Sequence, residues 1–321
     1  AVAQWEGGNI SFEKPLLVTS RAYSGVMVAV KNEHIDMRVT ADHRCLLIKR
    51  SGQVPVVISA ADYWQQHRHL QINAGVYGGG RGLDLTAHEI TILCAMQADG
   101  CWGNSVRPTM QWGFNKKRKV RRLLDALNAI GAPYSYRVSQ RHTVFNGQSY
   151  TSKSHVILVG VCELSDTMQS LLGKEEEFGS WLLEMSRSEL DFFCAELFLW
   201  DGDSVGKNRW YSTVSANVDW AQAVLALSGR RARRGQLARS GCKNLFSLGV
   251  SLNNYSHTAN VVCSREYVER ETVYCLSVPS SFVVIRRNRD VMVTGQCQNF
   301  PRPSDDPRPV KLRSSVIPLY D

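Results

Sequence analysis

One apolar segment occurs twice, and that repeat constrains the fold more than any other feature of the sequence. The run Ile92-Leu93-Cys94-Ala95-Met96-Gln97-Ala98-Asp99-Gly100 is matched by Cys194-Ala195-Glu196-Leu197-Phe198-Leu199-Trp200-Asp201-Gly202, 102 residues later when counted from Asp99 to Asp201. Each is an apolar helix closed by Asp-Gly, a helix-ending pair. Thr86, with Glu89 three residues on, forms a capping box that opens the first helix. After each Asp-Gly comes a polar stretch with aromatics, suited to strands, and then a second helix: Val120 to Ile130 before Gly131, and Val218 to Leu227 before Gly229. Two copies of one unit imply a pseudo-twofold module.

Charge follows the repeat. Of the net charge of +9, one basic cluster is Lys116, Lys117, Arg118, Lys119, Arg121 and Arg122, and the other is Arg230, Arg231, Arg233, Arg234, Arg239 and Lys243. Each lies at an end of one of the second helices. Clustered cations neutralise phosphates and release counterions, which makes nucleic acid the natural partner, double-stranded DNA if the resemblance given below holds; two solvated faces are the alternative. No run approaches the roughly 18 apolar residues that span a membrane, so no membrane partner is expected. Nine cysteines form no CxxC pair and no zinc-like spacing, which fits a reduced, cytoplasmic setting better than a disulfide scaffold.

Outside the repeat the pattern is that of strands. Short apolar runs, Gly25 to Val30, Met37 to Thr40 and Cys45 to Ile48, are separated by charged or Gly-containing turns, and strand-like runs return at Val273 to Val278, Phe282 to Arg286 and Val291 to Thr294. Gly78 to Gly82 is expected to be a flexible joint. Five of the ten prolines fall between Pro301 and Pro318, a composition shift that marks a boundary near Cys297.

The two nine-residue runs resemble the paired motifs of LAGLIDADG homing endonucleases. The resemblance implies two helices packed side by side, with Asp99 and Asp201 at their ends as catalytic residues and metal ligands. Phosphodiester cleavage calls for divalent metal, here Mg2+, bridging the attacking and leaving oxygens. Three residues depart from the pattern: Gln97 replaces an acid, and Cys94 and Glu196 stand where small residues would ease close packing. Glu196 is the larger departure, because a carboxylate between packed helices must be paired or protonated.

The flanking sequence resembles the protein-splicing domain of inteins. Thr40-Ala41-Asp42-His43 is similar to the intein Thr-x-x-His motif, and His43 would hydrogen-bond a scissile amide and protonate its departing nitrogen, with Thr40 polarising the same peptide. Val273 to Pro279, Phe282-Val283-Val284 and Val293-Thr294-Gly295-Gln296-Cys297 resemble the closing motifs of phage-type inteins. The resemblance makes Thr40, His43, Cys275, Thr294, Gln296 and Cys297 catalytic, with the Cys297 thiolate attacking an upstream thioester. Cys275 is equally a small buried strand residue. Gln296 stands where inteins usually carry Asn, so imide closure needs a six-membered ring, and Gly295 replaces the penultimate His. Thr40 comes early for the family, which predicts an N-terminal intein segment of about 30 residues, carried on a separate chain or lying outside this sequence. The run Gln298-Asn299-Phe300-Pro301 resembles a family A DNA polymerase as host.

The expectation is therefore an α+β chain: a β-rich splicing (Hint) domain over residues 1–72 and 258–296, an α/β LAGLIDADG domain over 73–257, and a C-terminal host segment over 297–321. Its function is autocatalytic splicing together with metal-dependent DNA cleavage. The rivals are a LAGLIDADG-like module that binds nucleic acid without cleaving it, and a standalone homing endonuclease.

Overall fold

The computed structural model describes residues 1–51, 55–66, 69–103, 106–145, 148–203, 208–238 and 243–296. The chain is mixed α+β and strand-rich. It divides into two compact units, one formed by residues 1–78, 222–235 and 248 onward, the other by residues 79–221 and 236–247. Among the described residues no helix is long and apolar enough to cross a membrane.

The first unit is built of sheets. One has the order Asp290–Gly295, Phe282–Arg287, Val2–Glu6, Asn9–Glu13, Val76–Tyr77; it is antiparallel except for the last pair. A second pairs Val262–Ser277 with Leu17–Lys31 and that with Asp36–Thr40, and a third runs Tyr255–His257, His69–Ile72, Arg44–Lys49, Pro55–Ser59. Period-two spacing builds the core: Val28 and Val30, Ile35 and Met37, and Cys45 and Leu47 each put alternate side chains into one cluster with Tyr63 and Met292. The strand expected at residues 25–30 extends over Leu17–Lys31, with a bulge in its partner between Val268 and Glu271, opposite Gly25 and Tyr23.

The division of the chain differs from the expected 72 and 257. Residues 222–235 and 248–257 belong with the outer segments, and the cause is burial. Ala226 packs with Ala74 and Val291. The buried Gln222 amide donates to the carbonyls of Ala232 and Arg289, both at 2.8 Å.

The second unit holds helices α1 (Ala87–Asp99), α2 (Lys117–Ala129), α3 (Glu163–Leu172), α4 (Arg187–Asp201) and the start of α5 (Ser215–Leu227). Its sheet has the order Tyr134–Phe145, Gln148–Val159, Met110–Phe114, Gly100–Trp102. Helix α1 packs against α4, α2 and α3. Its buried Ile92, Leu93 and Met96, with Leu190, Phe193 and Leu197 of α4, supply the apolar bulk that helices of ordinary propensity need to be stable.

Both motif helices start and stop by the same device. Thr86 and Glu89 cap α1, and Ser186 and Glu189 cap α4, each pair forming a reciprocal capping box. Each helix then ends at a glycine in extended conformation. A Cβ on Gly100 would lie 2.6 Å from the Met96 carbonyl oxygen, and one on Gly202 would lie 2.3 Å from that of Phe198. Only glycine lets the chain leave the helix so abruptly after the aspartate.

The glycine run expected to be a flexible joint is instead closely fitted. Gly80 N donates to Met185 O at 2.7 Å and Gly82 N to Glu184 O at 2.8 Å. A Cβ on Gly79, whose φ is +95°, would lie 2.3 Å from Arg187 N. Close approach of two backbones at Gly79 and Gly80, and a φ of +95° at Gly82, rather than freedom of motion, require these glycines.

Candidate functional site

Asp99 and Asp201 are the last residues of α1 and α4, so both carboxylates sit at the negative ends of helix dipoles. Two acids and two helix C-termini together create a strong demand for a cation. Lys119, in the first turn of α2, meets it: its Nζ donates to Asp201 Oδ1 at 2.9 Å and also to Asp99 Oδ2. An ammonium at a helix N-terminus is itself disfavoured, so acids and base relieve one another's placement. Burial pushes the Asp201 carboxyl up, Lys119 opposes that, and Asp99 adds to it.

Two carboxylate oxygens at converging helix ends are the hard donors that a divalent cation takes. Among the described residues no group of three or more His, Cys, Asp or Glu side chains converges. A divalent cation at this pair would draw its remaining ligands from water or a bound phosphate, and it would share the space with Lys119. The acid pair fits such an ion, with the lysine as competitor.

Glu196 is 1% exposed and is paired as its position between helices demands. Arg122 donates Nε to Glu196 Oε1 at 2.6 Å and a second nitrogen to Oε2, while Trp200 Nε1 donates to Oε1 at 2.8 Å. Burial pushes the neighbouring Cys94 thiol well up, with Glu196 and Cys194 adding to the effect.

These pairings correct the expected DNA-contacting set. Lys119 is only 5% exposed, and Arg122 is held by Glu196, so neither is a free surface cation. Lys116, Lys117, Arg118 and Arg121 remain exposed, with Arg118 also donating to the Leu199 carbonyl and Arg121 lying 3.7 Å from Asp125. Of the second cluster, Arg230, Arg231, Arg233 and Arg234 belong to the first unit and are half-buried, whereas Lys243 is exposed and belongs to the second: Arg230 follows α5, and Arg231, Arg233 and Arg234 lie on the strand Arg231–Leu237. Arg239 lies outside the described residues.

The first unit brings the two ends of the expected splicing constellation together. Thr40 to His43 forms a tight turn, closed by His43 N to Thr40 O at 3.0 Å. Ala60 N and Ala61 N clamp it by donating to the carbonyls of His43 and Ala41. Thr40 and His43 are both buried. His43 Nε2 lies 2.6 Å from Thr294 Oγ1, across 251 positions of sequence. The strand that carries Thr294 is pinned by two buried amides, Gln71 Nε2 to Val293 O and Asn73 Nδ2 to Val291 O, each at 2.8 Å.

Gln296 follows at the end of that strand. Its backbone carbonyl oxygen accepts from Arg44 N at 3.3 Å and from Arg44 Nε at 3.2 Å. Its side-chain Oε1 accepts from Ser277 Oγ at 3.2 Å, and its Nε2 donates to Val278 O at 3.3 Å. Both the carbonyl and the amide that imide closure would join are thus held. Gly295 has a steric reason as well: a Cβ there would lie 2.7 Å from the Arg44 carbonyl oxygen.

Arg44 and Ser277 are the site residues that the sequence did not mark. Cys275 lies two residues before Ser277 on the same strand, half-buried and opposite Thr19, and the hydrogen bond to Gln296 comes from Ser277. Cys297 and the segment after it lie outside the described residues.

No protein-family model matches the chain. It is similar to ribonucleoside-diphosphate reductase subunit beta of Aquifex aeolicus (strain VF5), 26% identical over an alignment 343 residues long that covers 92% of this chain and 46% of that protein. The chain thus spans about half the length of the curated relative it matches. Among solved structures it is similar to the homing endonuclease I-DmoI with its nicked target DNA and manganese, at a TM-score of 0.37 and 13% identity, over 52% of this chain and 89% of that one. It is also similar to the homing endonuclease I-WcaI bound to its DNA recognition sequence, at 0.37 and 9%, over 51% and 75%. A third is full-length DUF199/WhiA from Thermatoga maritima, at 0.34 and 11%, over 51% of each chain.

Proposed function

We propose that this chain is a self-splicing element whose first unit performs peptide-bond rearrangement at Gln296 and whose second unit is a DNA-directed, endonuclease-type insert. The observation that carries the proposal is the double hold on Gln296. Arg44 donates two hydrogen bonds to its backbone carbonyl oxygen, while Ser277 and the Val278 carbonyl fix its side-chain amide. Donors aimed at a carbonyl oxygen stabilise the negative charge that develops when its carbon is attacked.

The attack is internal. Gln296 Nε2 adds to the Gln296 carbonyl carbon, closes a six-membered imide and expels the Cys297 nitrogen, which must gain a proton as it leaves. The pair His43 and Thr294 supports proton handling close to that junction. Earlier in the sequence of steps, the Cys297 thiolate would take an acyl group from the proposed N-terminal segment. The proposed host of residues 297–321 is a family A DNA polymerase.

The test is to supply an N-terminal segment bearing its own Cys and follow the mixture by mass spectrometry. A branched species that resolves slowly through Gln296 supports splicing. Tight association of the segment without any acyl transfer would remove it.

For the second unit, Asp99 and Asp201 would hold Mg2+, which would supply charge neutralisation on a phosphate oxygen. The exposed Lys116, Lys117, Arg118 and Arg121 would position the duplex by its backbone. One observation favours a binding-only reading of this unit: Lys119 already pairs with both acids. Nicking of supercoiled DNA in Mg2+, absent in Asp99→Asn, supports cleavage; retarded but intact DNA supports binding alone.

A further inference from the structure

A cavity of about 830 Å3 opens in the first unit, away from Gln296. One wall is the turn from Lys31 to Ile35, closed by Asn32 N to Ile35 O at 2.9 Å and by His34 N to Asn32 Oδ1 at 2.7 Å. The opposite wall runs from His257 to Ser264, tied to the first by Asn32 Nδ2 to His257 O at 3.1 Å. Arg231 also lines the cavity.

Two groups there lack the partners that burial calls for. Arg231 is half-buried, and among the described residues its guanidinium makes no hydrogen bond or ion pair, while its backbone N–H donates to Asn253 O at 3.1 Å. The nearby acids are taken by its neighbour, since Arg233 bonds to Glu33 at 2.8 Å and approaches Asp290 at 3.9 Å. Burial, and then the charge of Arg233, work against the Arg231 cation, while Asp290 and Glu33 attract it from farther off. His34 Nδ1 is buried with no hydrogen-bond partner. Burial and the adjacent Arg231 push that imidazole's pKa down, which keeps it neutral and leaves it able to donate or accept one hydrogen bond.

A half-buried guanidinium without a carboxylate is costly unless an anion completes it. With Glu33 neutralised by Arg233, the cavity presents Lys31 and Arg231 as net positive charge, with Asn260 and Ser264 as neutral polar groups. Guanidinium binds two oxygens of one phosphate in a fork, and lysine adds a point charge. Two cations, an imidazole nitrogen and neutral donors in one cavity suit a group with several oxygens spread over a small surface.

We propose that this cavity is a phosphate-binding site, with Arg231 and Lys31 as its cations and His34 Nδ1 as its buried hydrogen-bonding group. The phosphate could be carried by a nucleic-acid backbone or by a free phosphate compound, and the experiment separates the two. The proposal rests on the cavity's own residues and on neither the splicing nor the cleavage reading.

The test uses the full chain with isotope-labelled histidine, titrated with inorganic phosphate and, separately, with a short duplex DNA, while the ring signals of His34 are followed by NMR. Saturable shifts with both probes, and displacement of the duplex by phosphate, assign a nucleic-acid phosphate. Shifts with inorganic phosphate alone assign a free phosphate compound at the same site. Arg231→Gln should weaken whichever probe binds by about tenfold, and should lower a duplex salt slope by about one. Because Arg231 makes no internal pair, the variant should keep its fold; the exposed Lys31→Gln gives a second variant that should weaken binding in the same direction. Absence of a saturable His34 shift with either probe, or unchanged affinity in both variants, overturns the proposal.

Discussion

Arg122→Met removes the guanidinium from a carboxylate that has almost no access to water. Glu196 is 1% exposed, and both of its oxygens are taken by Arg122, with Trp200 Nε1 the other donor. After the substitution one neutral indole N–H is left to compensate a buried charge between two packed helices. Removal of one partner from a buried ion pair costs about 3–5 kcal/mol, whereas replacement of both by apolar groups of similar volume is near neutral or stabilising. A domain of this size loses about 2–4 °C of melting temperature per kcal/mol, so the second unit should melt roughly 6–20 °C lower. Near-ultraviolet circular dichroism would follow it, because Trp112, Trp200 and Trp210 are all buried in this unit. The double variant Arg122→Met/Glu196→Leu should return to within about 1 kcal/mol of the parent, since it leaves no buried charge unpaired. If Arg122→Met costs less than about 1 kcal/mol, or if the double variant is no better than the single, the pair does not do what its geometry implies.

Duplex binding by the four exposed cations of the first cluster should give a log–log salt slope of about −4, because slope scales at about −0.9 per neutralised phosphate; a slope near zero in anisotropy titrations would contradict the assignment. Lys119→Met leaves two acids facing one another at negative helix ends, and calorimetry should find Mn2+ bound at least about tenfold tighter than by the parent; equal affinities would mean that the lysine does not compete. Burial pushes the Asp290 carboxyl up to about 6, with Arg233 opposing. Because the folded value is raised above the ordinary one, the carboxyl's stabilising contribution is present below pH about 4 and is lost as pH rises through about 6. Asp290→Asn should flatten that part of the stability profile, and an unaltered profile would assign the slope to another group.

Local signals in the sequence marked much of this architecture, and tertiary ones did not. Capping boxes and Asp-Gly ends are written within a few residues, so α1 and α4 were legible, as were strands with period-two apolar spacing. The glycines at 79–82 misled because close backbone approach and flexibility select the same residue. Residues 222–235 looked like part of the insert because only three-dimensional contacts, such as those of Ala226 with Ala74 and Val291 and of Gln222 with the Arg289 carbonyl, assign them elsewhere. Lys119 and Arg122 resembled their basic neighbours, yet each lies four residues before a buried position of α2, Leu123 and Ala126, and helical spacing puts such pairs on one face. Arg44 carried no signal of its own beyond following His43, because its role depends on a strand end 252 positions away.

If the first unit assists peptide cleavage at the junction after Gln296, as proposed, intact-mass spectrometry over hours will show it. Gln296→Asn replaces a six-membered closure by a five-membered one at the same held carbonyl, so the chain should lose the 25 residues from Cys297 to Asp321. Adding Arg44→Met removes the Nε donor but keeps the backbone one, and loss of one such donor should slow release by about a hundredfold. Release in Gln296→Asn that slows in Gln296→Asn/Arg44→Met is the result predicted. A Gln296→Asn chain that stays whole, or one that cleaves at the same rate without the Arg44 side chain, would contradict it.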